Sequence, residues 1–114
     1  MYKIVAFWSA PKPADVEAFE KYYWDVHVPK AQLVPALRGI ELTRIDVGIE
    51  GTAPPFYRVA ELYFDSPEAL KKSSESAAWQ AMRADAGQMI ERFGVTLTVG
   101  MGWEDKRSSR QLKS

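Results

Sequence analysis

The chain has 114 residues, the size of one domain, and its 15 Lys+Arg against 15 Asp+Glu leave no net charge. Neutrality removes the electrostatic footprint of a nucleic-acid binder or a polybasic membrane binder, and the absence of Cys excludes a disulfide scaffold, a thiolate metal site and a Cys nucleophile. With 46% hydrophobic and 26% charged residues the composition is that of a folded globular domain. No apolar stretch approaches the roughly 20 residues that span a bilayer, and the first apolar run is too short for a signal-peptide core. A cytoplasmic location is therefore expected.

Residues 2–8 are rich in β-branched and aromatic side chains and are stopped by Ser9-Ala10-Pro11-Lys12-Pro13, so they read as a strand. Apart from Lys3 this strand is apolar on both faces, which predicts a cover on each side of its sheet. Helices of the same chain can supply one cover. Asp15 can serve as N-cap to a helix with Val16, Phe19, Tyr23 and Val26 on one face. That helix is predicted to end or kink at Val28, because Pro29 has no N–H and disfavours α geometry before it. His27 then lies in the last turn, and a short helical turn is expected within residues 31–37.

Residues 40–47 and 56–64 read as two strands of an antiparallel hairpin, joined through a connection rich in Gly and Pro. Asp65-Ser66-Pro67-Glu68 is a helix start, with Ser66 as N-cap and Pro67 in the first helical position. The helix is predicted to run to about Lys72. After residues 73–76 it resumes over 77–90, where Ala78, Met82, Ala86 and Met89 recur at helical spacing. Alternation over 95–101 marks a fourth strand. Residues 1–104 are thus expected to form the domain and 105–114 a polar tail, disordered from Lys106 onward.

The order β-α-β-β-α-β is that of the ferredoxin-like split βαβ motif, an α+β fold whose antiparallel four-stranded sheet carries both helices on one face. The other face of the doubly apolar first strand predicts a homodimer, since twofold pairs dominate among soluble oligomers.

Glycine-rich phosphate loops, paired Cys or His at metal spacing, and the G-x-S-x-G elbow are all missing from the sequence. Neither a metal nor a cofactor is expected. The densest cluster of chemistry-bearing residues is Tyr22-Tyr23-Trp24-Asp25-Val26-His27. On a regular helix Tyr23 and Val26 centre on the buried stripe, and His27 falls beside it at the rim of the helix–sheet layer. A neutral imidazole there can relay a proton near neutral pH. The alternative is that His27 only satisfies the last carbonyls of its helix.

Glu61 shares a strand face with Tyr57, Val59 and Tyr63. If that face turns to the helices, Glu61 can orient His27 or act as an acid. If it turns outward, an ion pair with Arg44 or Arg58 is expected. Trp8, Trp79 and Met82 can line an apolar small-molecule pocket over the sheet together with Tyr23, Tyr57 and Tyr63. Tyr22 and Trp24 flank the stripe and are expected at an interface.

The stretch Phe19-x-x-Tyr22-Tyr23-x-x-Val26-His27-x-Pro29, with Ala60-Glu61-Leu62-Tyr63-Phe64-Asp65-Ser66, resembles the EthD family, named for a protein linked to ethyl tert-butyl ether degradation in bacteria. The resemblance covers essentially residues 2–104 and implies the dimeric α+β barrel, in which two ferredoxin-like protomers join their sheets. It also implies a hydrophobic cleft between sheet and helices, with His27 at the end of the first helix facing it. The expected function is binding of a small hydrophobic, aromatic or polyketide-like metabolite, with His27 transferring a proton in dehydration, cyclisation or isomerisation. A non-catalytic metabolite binder and a haem protein with His27 as axial ligand are the alternatives. Oxidation of an unactivated ether is disfavoured, because it needs a cofactor for which the sequence has no motif.

Overall fold

The computed structural model describes residues 1–109. The apolar and β-branched runs form four strands, β1 (Tyr2–Trp8), β2 (Gly39–Arg44), β3 (Arg58–Phe64) and β4 (Leu97–Trp103). They make one antiparallel sheet in the order β2-β3-β1-β4. Register is set at the centre of the sheet, where Ala6 of β1 lies opposite Ala60 of β3 on one side and Val99 of β4 on the other. The ferredoxin-like α+β architecture is therefore present.

Strand ends differ from the sequence pattern for local reasons. β2 stops at Arg44 rather than reaching 47, because the chain turns into a loop closed by the Gly48 N–H donating to the Thr52 carbonyl at 2.8 Å. β4 starts at Leu97 rather than 95: Val95 is buried in the core, and the Thr96 N–H donates to the Ser9 hydroxyl at 2.8 Å.

The first helical arm departs most from a regular α-helix. A single 3₁₀ turn (Pro13–Asp15) leads into α1 (Val16–Tyr22), then a π-helical turn over Tyr23–His27, then α2 (Val28–Gln32). Asp15 does not cap it, since its backbone is already helical and its side chain makes no cap hydrogen bond. Nor does the arm end at Val28. In the π turn the Val28 N–H donates to the Tyr23 carbonyl five residues back, and Pro29 falls in the first turn of α2, where a missing N–H costs little.

The second arm follows the sequence closely. Ser66 caps α3 (Pro67–Ser73) by accepting from the Ala69 N–H at 3.1 Å. Ser76 does the same for α4 (Ala77–Phe93) through the Trp79 N–H at 3.1 Å. The end of α4 is set by Gly94, which adopts a left-handed φ of 64°.

The helices of both arms pack on one face of the sheet, with Ile4, Trp8, Ala60, Leu62 and Phe64 buried beneath them. The core falls into two clusters. One gathers Ile4, Leu62, Phe64, Leu70 and Met82, and the other Trp8, Phe19, Tyr23, Met89 and Phe93. On the opposite face of β1 and β3, Val5, Phe7 and Val59 remain half-buried. Residues 104–109 have no regular structure, and the rest of the expected disordered tail, 110–114, lies outside the described residues. Among the described residues no helix is long and apolar enough to cross a membrane.

A Cβ at position 94 would meet no neighbour within 4 Å, so Gly94→Ala isolates backbone strain from packing. Urea denaturation is expected to show a loss of about 1–2 kcal/mol, the cost of the left-handed region for an L side chain.

Candidate active site

The chain's single histidine is drawn into the interior by the π turn. A regular helix would carry the buried stripe from Phe19 and Tyr23 to Val26. The wide turn adds one residue, and burial passes instead to His27 and Val28, with Val26 left only partly covered. His27 is 9% exposed and stands edge-on to Trp8, ring centroids 5.5 Å apart.

The partner of His27 is Asp85 on α4. Imidazole Nδ1 lies 2.8 Å from Asp85 Oδ2, and the Tyr22 hydroxyl donates to Oδ1 of the same carboxylate. Tyr22 and His27 are five residues apart, which on an α-helix would separate them by about 140°. The π turn is what lets both reach one acceptor. A carboxylate buried to 4% exposure needs such donors, and with two of them it fixes the imidazole with a proton on Nδ1. Nε2 is then the nitrogen left to accept a proton.

Burial pushes the His27 pKa below its ordinary value, and the Asp85 hydrogen bond and charge reverse this only in part, while nearby Lys30 adds to the depression. The ring is accordingly neutral at pH 7. Tyr22 is held in its protonated form by donating to Asp85.

His27 faces a cavity of about 180 Å³ between the sheet and the helices, in the seam between the two core clusters. A dry cavity of about 150 Å³ accommodates benzene, so this one has room for a slightly larger molecule. Four of its lining residues, Ala6, Ala31, Ala60 and Ala86, extend no further than Cβ. The lining is otherwise almost wholly apolar, and its exposed members, Arg83, Val99 and Met101, mark the open side at the β4 edge. Tyr23 also lines it, its ring inclined 29° to that of His27 at 6.2 Å. The Tyr23 hydroxyl is buried without a partner among the described residues, and desolvation pushes its pKa up to about 12.

Of the residues singled out from the sequence, the fold brings Trp8, Tyr23, His27, Trp79 and Met82 to this cavity. It does not bring Glu61, Tyr57 or Tyr63. Glu61 turns to the outer face, where Lys3 Nζ donates to it at 2.7 Å, so it neither orients His27 nor pairs with Arg44 or Arg58. Tyr63 shares that outer face, where hydrogen bonding to Glu41 foremost raises its pKa. Tyr57 lies just before the start of β3 and donates to Glu20 Oε2 at 2.9 Å. Arg58 is on the helix side, ion-paired with Glu20 and stacked over Tyr23 at 5.0 Å. Period-two alternation tells which residues share a face, and not which face the helices will cover.

Asp85 was not among the sequence candidates, although its signal was present. It falls on the buried stripe of α4 with Met82, Ala86 and Met89, and an acid in such a stripe needs a partner.

With one histidine in the chain, its imidazole resonances identify themselves in an NMR pH titration. Their midpoint is expected below 6.5, and lower still in Asp85→Asn, which removes the charge that raises it. A histidine whose folded pKa is depressed contributes stability above its unfolded pKa. Urea-unfolding free energy should therefore fall as pH drops from 6.5 through the folded midpoint, and fall less in His27→Gln.

Comparison with known proteins bears on the family and the fold. The EthD domain family matches residues 11–92. An uncharacterized 11.0 kDa protein of Rhodococcus erythropolis, from the thcB–thcC intergenic region, is 30% identical over 97 residues, covering 85% of this chain and 90% of its own. The crystal structure of an ethyl tert-butyl ether degradation (EthD) family protein from Bacillus halodurans C-125 superimposes with a TM-score of 0.69 at 28% identity, over 88% of this chain and 96% of that one. An EthD-like protein from Ralstonia eutropha JMP134 shares the fold, with a TM-score of 0.66 at 20% identity over 96% of each chain. With the family match spanning most of its length, the chain belongs to the EthD domain family.

Proposed function

We propose that the protein binds a small hydrophobic, aromatic or polyketide-like molecule in the cavity beneath α4. His27 there moves a proton in dehydration, cyclisation or isomerisation, without a bound cofactor. The observation that carries this reading is the buried Tyr22–Asp85–His27 unit, whose neutral imidazole borders an otherwise apolar cavity. Nε2 abstracts a proton from a carbon next to a carbonyl. The Tyr23 hydroxyl, with a high pKa and no hydrogen-bond partner among the described residues, donates to the oxygen on which charge develops. Asp85 holds the tautomer and stabilises the imidazolium that forms, as the acid of a catalytic triad does. One positioned acid–base group supplies about 10²- to 10⁴-fold, which suits an activated carbon acid and not ether cleavage.

The working unit in this reading is a cytoplasmic homodimer joined through the outer face of the sheet. Val5, Phe7 and Val59 of that face are only half-buried in the single chain. Sedimentation at micromolar concentration is expected to give twice the chain mass, and a clean monomer would remove this part of the reading.

Hydrogen–deuterium exchange at the methyl group of acetophenone in D₂O tests the chemistry. Wild-type protein is expected to accelerate exchange, and His27→Gln, whose side-chain amide keeps a donor for Asp85, to lose at least a hundredfold of that acceleration while remaining folded by circular dichroism. Binding of acetophenone with no acceleration would make the cavity a metabolite-holding site and not a catalytic one.

A further inference from the structure

The cavity carries one permanent charge, and its position selects the ligand. Trp79, Met82, Arg83 and Ala86 line the cavity from α4 at the i, i+3, i+4, i+7 spacing of a single helix face. Arg83 is the one charged residue in that stripe and stands at the open side, exposed, beside Val99 and Met101. Its helical neighbours at i±3 and i±4 are Trp79, Gln80, Ala86 and Gly87, none of which can neutralise it. Arg38, Arg44 and Arg58 each sit against a carboxylate, and Arg92 lies over the rings of Tyr22 and Phe93. Arg83 has no acidic partner among the described residues.

We infer that Arg83 recognises an anionic group on the ligand, and that the cavity takes a small aromatic or polyketide-like carboxylate. This inference rests on the reading of the cavity as a small-molecule site. Planar guanidinium matches a carboxylate with two parallel hydrogen bonds, at the one place where the ligand's charge can stay partly hydrated. The apolar body of the ligand then lies inward over Ala60 and Leu62, towards His27 Nε2 and the unpartnered Tyr23 hydroxyl. An acceptor on His27 and donors on Tyr23 and Arg83 together describe a molecule with an acidic proton, an oxygen acceptor and an anionic end. Carboxylate binding at Arg83 would hold the molecule in one direction, presenting its far end to the imidazole.

Calorimetric titration of the full chain with 4-hydroxybenzoate and with its neutral methyl ester tests this. Wild-type protein is expected to bind the carboxylate about tenfold more tightly than the ester. Arg83→Gln should erase that preference while leaving ester affinity unchanged. Equal affinity for the two probes in wild-type protein overturns the assignment and leaves the cavity as a site for neutral molecules. A preference that survives in Arg83→Gln overturns the role of Arg83. If neither probe binds wild-type protein, the inference and the small-molecule reading of the cavity fail together.

Discussion

The carboxylate of Asp85 is the group on which the helical layer depends. It accepts from two side chains of the first arm while belonging to the last helix, so it ties α1, the π turn and α2 to α4 across the top of the sheet. A buried acid with two donors holds its position firmly, because either donor alone would leave an uncompensated charge in an apolar interior. The same requirement dictates the backbone. Only a widened turn lets residues 22 and 27 converge on one acceptor, so the irregular helix and the buried polar unit are two aspects of a single constraint.

That constraint also separates scaffold from chemistry. Nδ1 and the Tyr22 hydroxyl serve the structure, and Nε2 is left for a ligand. Burial in apolar surroundings keeps the imidazole uncharged, while the neighbouring carboxylate favours the cation once a proton arrives. These opposed influences are what a general base needs, since neither form is locked in place. Arg58, stacked over Tyr23 and paired with Glu20, supports the same wall of the cavity from the other side.

Much of the architecture was legible in the residues. Ser66-Pro67-Glu68 marks the start of α3, and the β-branched runs and the order of elements lead to the ferredoxin-like sheet. Trp8, Trp79 and Met82 could be named from residue type and spacing as lining one pocket, and the family resemblance adds His27 to it. The π turn could not, because the pattern Val16, Phe19, Tyr23, Val26 fits a regular helix, and the shift of burial to His27 depends on a partner 58 positions away. Glu61 was ambiguous for a related reason: alternation leaves open which side of a strand the helices will choose, and Lys3 on the neighbouring strand settles its role. Asp85 was written in the stripe of α4, but only as an anomaly that the fold explains.

The seam between the two core clusters stays open because alanines face it where larger side chains would fit. Apolar surface that side chains leave unpacked forgoes dispersion contacts within the chain, so a cavity of this kind costs the fold stability. Sequence drift towards greater stability would fill the void first, since Ala6, Ala31, Ala60 and Ala86 each have room for added methyl groups. Persistence of such small residues in a lineage would then measure selection for what occupies the space. Their enlargement would mark a descendant that has become a sturdier fold with nothing left to hold.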